Sequence, residues 1–206
     1  MRCTFLLLFT LTLSACCACP RTTTAAQTPA GPVIRLVTSM GDIDLELDVA
    51  HAPISVANFL TYVESGRYDG VIFHRVIPGF VIQSGGHNPD LANRAILEGN
   101  GTDIDPKITN EWTNGLKNIR GSVGMARDTD PDSATRQFYI NLADNTRLDT
   151  PREVSGGAGY AVFGRVKSGM EVVDAIAAAP THAVPERDMA DVPIEPIILQ
   201  RAVRLR

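Results

Sequence analysis

The sequence predicts one domain dominated by β-structure, with a barrel favoured over a sandwich. The chain has 206 residues, of which 44% are hydrophobic and 20% are charged, as in ordinary globular domains. From position 33 onward, short apolar runs alternate with turns that contain glycine and proline, and few segments have helical spacing. Roughly eight such runs are present, and eight strands can close around an interior filled with side chains.

Charge and cysteine content exclude several classes of protein. The net charge is −4 and no dense cluster of lysine and arginine occurs, which argues against nucleic acid as a partner. All four cysteines lie within the first 19 residues, so disulfides cannot hold the domain together. An aspartate-rich stretch at 128–132 resembles the start of a calcium loop, but Ser133 and Tyr139 stand where glycine and glutamate are needed. This stretch therefore does not fit a calcium loop.

The first residues have the layout of a secretory signal. Arg2 precedes an apolar run over 5–13, which is too short to span a membrane. The stretch LSAC that ends at Cys16 resembles the bacterial lipoprotein signal. We expect residues 1–15 to be removed and Cys16 to carry the lipid. The alternative is a plain secreted protein cut near Ala18.

Residues 16–32 are rich in threonine, alanine and proline, a composition typical of a flexible linker. Such a linker would hold a folded domain, 33–206, away from a membrane surface. The residue after the expected lipid site is Cys17. It is not the aspartate that resembles an inner-membrane retention signal at this position. We therefore expect an exported, periplasmic protein, anchored preferably to the outer membrane.

The domain begins with a predicted hairpin and helix. Residues 33–38 and 42–49 alternate apolar and polar side chains on either side of a short turn. A helix follows from Pro53, because proline suits the first helical position. It ends at Gly66, since glycine favours a helix stop.

The next predicted hairpin joins strands over 71–77 and 80–85 through a turn at Pro78 and Gly79. A long polar segment over 86–118 follows, and a loop of that length inside a compact domain is usually functional. The remaining predicted elements are strands over 122–127, 137–142 and 160–166, a helix over 169–179, and a final strand over 194–205.

The stretch FHRVIPGFVIQSGG, residues 73–86, is similar to the signature segment of cyclophilins, the peptidyl-prolyl cis-trans isomerases. The stretches RGSVGMAR, SATRQFYINLADN and AVFGRVKSGMEVVD also resemble cyclophilin segments, in the same order. The resemblance extends from position 33 to 206 and is closest to the bacterial, periplasmic type. It implies a closed eight-stranded antiparallel β-barrel capped by two α-helices.

The resemblance also implies a site. The family binds proline-containing polypeptides in a groove on the outside of the barrel, without metal or cofactor, and we expect a monomer. Arg75 stands at the position of the catalytic arginine, with Phe80 and Gln83 beside it in the catalytic set. The expected peptide-binding residues are Val81, Ala126, Arg127, Gln137, Phe138, Tyr139, Leu148 and Tyr160.

An arginine suits the chemistry of isomerisation. Resonance gives the amide bond its barrier of about 18–20 kcal/mol, and the enzyme must stabilise the twisted amide better than either planar form. In the twisted state the prolyl nitrogen regains its lone pair and can accept a hydrogen bond. The period of two in a strand places Arg75 and Gln83 side by side across the hairpin. His74 takes the other face, and we expect it to be structural, because the reaction moves no proton.

Three positions depart from the commonest family pattern. Val81 replaces a methionine, and Tyr139 replaces a phenylalanine and brings a hydroxyl that needs a partner. Arg147 falls where many eukaryotic members carry a tryptophan that binds cyclosporin, so we expect weak binding of that drug. Two other functions remain open from the sequence: a peptide-binding module with little turnover, and a structural envelope protein.

Overall fold

The computed structural model describes residues 31–94 and 105–206. The predicted signal at 1–15, the lipid site at Cys16 and most of the predicted linker lie outside these residues. The described strands are β1 Val33–Thr38, β2 Gly41–Leu47, β3 Val71–Ile72, β4 Arg75–Ile77, β5 Val81–Ser84, β6 Ser122–Met125, β7 Phe138–Asn141, β8 Val162–Ser168, β9 Thr181–Val184, β10 Met189–Pro193 and β11 Ile198–Arg204. The helices are α1 Pro53–Glu64 and α2 Met170–Ala177, with short 3-10 helices at Thr146–Asp149, Glu153–Ser155 and Pro185–Arg187.

Nine strands form one curled antiparallel sheet in the order β3-β11-β1-β2-β8-β6-β7-β5-β4. The prediction of a closed eight-stranded barrel is wrong, because the edge strands β3 and β4 do not pair with each other and the sheet remains an open half-barrel. The predicted single strand over 71–77 is interrupted at Phe73 and His74. Both side chains are buried, whereas successive residues of a regular strand point to opposite faces. The strand therefore ends on one edge of the sheet and restarts on the other.

The concave side of the sheet is filled by apolar side chains from α1 and the strands. The ring of Phe59, on α1, lies 5.1 Å from Tyr68, 5.3 Å from Phe138 and 5.2 Å from Phe163, measured between centroids. All four rings are fully buried. Aromatic rings at these separations contribute beyond the area that they bury. Helix α1 thus anchors the sheet from inside, which leaves the other face free to carry a site.

Helix α1 begins at Pro53, as predicted, but its amino end depends on a distant residue. The capping position, Ala52, offers no side-chain hydrogen bond. Instead, the Glu111 carboxylate accepts hydrogen bonds from the backbone N–H groups of Ile54 and Ser55, at 3.0 and 2.8 Å. The Ser55 hydroxyl donates a third, at 2.7 Å. The loop that contains Glu111 is therefore tied to the helix.

The region after α2 differs from the prediction. Strands β9 and β10 form a separate antiparallel hairpin, in which Val184 pairs with Met189. The predicted strand over 194–205 is shorter and begins at Ile198. The hairpin was missed because its short strands, THAV and MADVP, lack a regular alternation of apolar and polar residues. Among the described residues, neither helix is long and apolar enough to cross a bilayer.

Candidate active site

A recess of about 400 Å³ opens on the convex face of the sheet, over β4, β5 and β7. Its apolar surface is a small cluster separate from the main core, formed by Val81, Tyr139 and Leu148 with Phe80, Ala126 and Tyr160 around them. The recess therefore combines an apolar floor with a polar rim. The full lining is Arg75, Phe80, Val81, Gln83, Ala126, Arg127, Asp128, Ser133, Thr135, Gln137, Tyr139, Arg147, Leu148, Arg152 and Tyr160.

The turn between β4 and β5 sets the position of the rim. Ile77 accepts a backbone hydrogen bond from Phe80 at 3.0 Å, across Pro78 and Gly79. Gly79 has φ 71°, which a side chain at this position would disfavour. The tight turn fixes the register so that Arg75 pairs directly with Gln83. The sequence prediction of these two side chains next to each other agrees with this geometry.

Polar side chains along the rim form a row. Arg75 Nη1 donates to Gln83 Oε1 at 3.4 Å, and Gln83 Nε2 donates to Gln137 Oε1 at 2.8 Å. In the described part of the chain, no carboxylate forms an ion pair with Arg75. Gln137 lies against Gly86, where an added Cβ would come within 2.7 Å of the Gln137 side chain. Glycine at 86 therefore gives this row the space it needs.

Tyr139 forms part of the floor, and its hydroxyl has a hydrogen-bond partner, as the sequence analysis predicted. The hydroxyl donates to Asn118 Oδ1 at 2.7 Å. Burial raises the pKa of Tyr139 well above its usual value, with smaller contributions from Tyr160 and Asp149. The hydroxyl thus remains a neutral donor. Gly124 lies beneath the ring, where a Cβ would be 2.3 Å from the Tyr139 hydroxyl and ring carbon.

Asn118 supports the floor of the recess from behind, and sequence reasoning missed it. It is fully buried, and its Nδ2 donates to Asp149 Oδ1 at 2.8 Å and to the Tyr160 carbonyl at 3.2 Å. It therefore links the floor at Tyr139 to the segment that carries Leu148 and Tyr160. The unusual hydroxyl of Tyr139 was a signal that such a partner exists, but nothing in the sequence indicated which residue provides it.

Arg127 shapes the rim through backbone carbonyls. Its guanidinium donates to the carbonyls of Asp128, Ala158 and Gly159 at 2.8 to 2.9 Å. It also lies 4.3 Å from the centroid of the Tyr160 ring. Arg127 thus holds the segment around 158–160 against the recess, and its charge has no carboxylate in an ion pair among the described residues.

The position of Phe138 does not agree with its prediction as a peptide-binding residue. It does not line the recess. Its side chain is fully buried in the core, 5.4 Å from Tyr68 between ring centroids. The alternation of β7 explains the error, because Tyr139 faces the recess and its neighbours Phe138 and Ile140 must face the core. The other predicted residues of the catalytic and peptide-binding sets all line the recess.

His74 lies in the interior behind the rim. Burial, and then the neighbouring His87, lower the pKa of His74 to about 3. The two imidazole rings lie 4.4 Å apart between centroids. His74 is therefore neutral at physiological pH, in agreement with the structural role expected from the sequence. Residues 31–94 and 105–206 hold no group of three or more side chains suited to bind a metal ion.

Comparisons with known proteins identify the family. Residues 33–202 match the family model described as cyclophilin type peptidyl-prolyl cis-trans isomerase/CLD. The chain is 47% identical over 169 residues to peptidyl-prolyl cis-trans isomerase A of Dickeya dadantii, covering 82% of each chain. It is 48% identical over 169 residues to isomerase cyp18 of Streptomyces antibioticus, covering 82% of this chain and 96% of the relative. It is 44% identical over 163 residues to isomerase B of Escherichia coli, covering 79% and 93%.

A solved structure supports the same assignment. A cyclophilin type peptidyl-prolyl cis-trans isomerase of Cryptosporidium parvum, crystallised in the presence of the dipeptide Ala-Pro, superposes with a TM-score of 0.66 at 27% identity. The superposition covers 84% of this chain and 99% of the other. The fold, the matched span and the relatives agree with one another. The chain therefore belongs to the cyclophilin-type peptidyl-prolyl cis-trans isomerases.

Proposed function

We propose that the recess is the active site and that Arg75 is its catalytic group. The observation that carries the proposal is the position of Arg75, half-buried on the rim above an apolar floor. Among the described residues, its side chain has only the neutral Gln83 amide as a hydrogen-bond partner. A substrate proline enters the floor lined by Phe80, Val81 and Leu148. The guanidinium then faces the prolyl nitrogen.

The reaction is rotation about the bond between the preceding residue and proline. Rotation breaks the amide resonance, and the prolyl nitrogen becomes pyramidal and basic. Arg75 donates a hydrogen bond that is strongest in this twisted state, and a hydrogen bond to a charged group contributes about 1.5–3 kcal/mol. That corresponds to roughly one to two powers of ten in rate. The apolar floor supplies part of the remaining effect, because it removes water from an amide that is most stable in its planar, hydrated form.

Gln83 and Gln137 are proposed to hold the substrate backbone. Gln137 Oε1 accepts the Gln83 amide N–H, so Gln83 Oε1 is directed towards Arg75. The second Gln83 N–H is proposed to bind a carbonyl of the substrate, and Gln137 orients Gln83 from behind. Holding both sides of the rotating bond confines the motion to that bond.

The test is exchange spectroscopy. Cis/trans exchange of a short Ala-Pro peptide is measured by NMR with wild type, Arg75→Ala and Arg201→Ala. We expect Arg75→Ala to lower kcat/KM by about 30-fold or more, in line with the loss of a charge-assisted hydrogen bond in the transition state. Arg201→Ala, which removes an exposed arginine of β11, should retain the wild-type rate. Full activity in the Arg75→Ala variant would contradict the proposal that Arg75 is the catalytic group.

We also propose that this isomerase assists the folding of exported proteins while tethered by a lipid at Cys16. The support is the basic start, the apolar run and the stretch LSAC that precedes a linker-like segment. Stable anchoring needs at least two acyl chains, which a lipidated amino-terminal cysteine can carry. Mass spectrometry of the mature amino terminus tests this directly. A Cys16→Ser variant should lose the lipid mass and leave the membrane fraction, and an unmodified Cys16 in the wild type would contradict the anchor.

A further inference from the structure

The recess is strongly cationic in a protein that is acidic as a whole. Arg75, Arg127, Arg147 and Arg152 line it, against one carboxylate, Asp128. This gives the lining a formal excess of three positive charges, whereas the whole chain carries −4. An apolar pocket for a proline ring does not require any of this charge beyond Arg75.

None of these four guanidinium groups forms an ion pair within the described part of the chain. Arg147 is exposed and lies 5.2 Å from the centroid of the Phe80 ring, on the recess floor. Arg152 is half-buried, and its buried Nε has no hydrogen-bond partner among the described residues. Arg127 donates to backbone carbonyls.

Arginines elsewhere on the surface behave differently. Arg35 pairs with Asp44 at 2.7 Å, Arg120 with Asp174 at 2.8 Å, and Arg165 with Glu46 at 2.7 Å. These three arginines away from the recess thus have carboxylate partners, whereas the four around the recess have none among the described residues. A positive potential that is not compensated internally attracts an anionic ligand.

We propose that the recess selects proline-containing segments with aspartate or glutamate beside the proline, an inference that rests on the proposed function of the site. Arg147 and Arg152 are the specificity-determining residues. Arg147 belongs to the 3-10 helix beside the proline floor, and Arg152 belongs to the turn that Arg127 holds, so the two lie on separate segments of the rim. The planar guanidinium fork matches a carboxylate and can bind it with two hydrogen bonds.

The experiment compares three peptides that differ only in the residues next to proline: glutamate, glutamine or lysine. NMR exchange gives kcat/KM for each peptide with wild type, Arg147→Gln, Arg152→Gln and the matched control Arg201→Gln. We expect the wild type to favour the glutamate peptide over the lysine peptide by about five-fold or more, and the preference to shrink when salt is raised. Each recess variant should reduce the glutamate-to-lysine ratio by about two- to five-fold, the range for a partly exposed charge pair. The control should keep the wild-type ratio.

The outcomes separate the two proposals. Equal turnover of the three peptides by the wild type would overturn the selection for acidic segments and leave the isomerase site intact. An unchanged ratio in both Arg147→Gln and Arg152→Gln would overturn their role as specificity residues. If the wild-type protein turned over none of the three peptides, the proposed function itself would be overturned.

Discussion

At the residue scale, the pairing of Arg75 with Gln83 was predictable, whereas the contacts that support this pair were not. The alternation of a strand and a Pro-Gly turn place Arg75 opposite Gln83, and both features are visible in sequence. The third member of the row, Gln137, directly precedes β7, and its side chain fits only because residue 86 is a glycine. Contacts between segments this far apart in sequence depend on the register of the sheet. The alternation of apolar and polar residues within one strand does not reveal that register.

Substitution of Gln137 tests whether the row orients the site. Gln137→Ala removes the acceptor of the Gln83 N–H, so Gln83 Oε1 is no longer held towards Arg75. We expect kcat/KM for a neutral peptide to fall about three- to ten-fold, which corresponds to one hydrogen bond of about 0.5–1.5 kcal/mol. NMR exchange measures the rate, and urea unfolding should show a loss of stability too small to account for it. A rate equal to the wild type would mean that Gln83 is oriented without Gln137.

At the element scale, strands with clear alternation were predicted and interrupted elements were not. Strands β1, β2, β5 and β7 begin and end within two residues of their predicted bounds. The interruption between β3 and β4 was missed because 71–77 reads as one apolar run. The sequence gives no sign that its two halves join opposite edges of the sheet. The correction for Phe138 has the opposite cause, since strict alternation on β7 would have excluded it from the site.

Glu111 provides a prediction for helix α1. Glu111→Ala leaves the N–H groups of Ile54 and Ser55 without their acceptor at the positive end of the helix dipole. We expect a loss of about 1–2 kcal/mol in the free energy of unfolding, as for the removal of a side-chain cap. Urea denaturation measures it, with the exposed Glu195→Ala as the control. A loss below about 0.3 kcal/mol would show that water replaces the carboxylate at little cost.

At the scale of the whole molecule, the buried histidine couples stability to pH. The pKa of His74 is about 3 in the folded protein, below its value of about 6.5 in an unfolded chain. The unfolded chain therefore takes up the proton first as the pH falls. Stability from this group is complete above about pH 6.5 and is lost progressively towards pH 3. Burial also lowers the pKa of His87, and its effect has the same sign.

The measurement is the free energy of unfolding at pH 7.5 and 4.5. For the wild type, His74 alone should contribute a loss of about 2–3 kcal/mol between these values. His74→Gln cannot take up the proton, so it should show a smaller loss by that amount, although it starts less stable at pH 7.5. The exposed His182→Gln serves as the control and should keep the wild-type dependence. Identical acid sensitivity in wild type and His74→Gln would contradict the assignment.

Strand β11 lies between β1 and β3, and Ile34 pairs with Arg204. During translation, the first strand of the domain therefore emerges from the ribosome long before its neighbour exists. Pairing between the two ends of a chain gives a slow folding step, and an apolar strand without its neighbour is prone to aggregate. A nascent chain halted before Ile198 would therefore leave β1 without one of its two neighbouring strands.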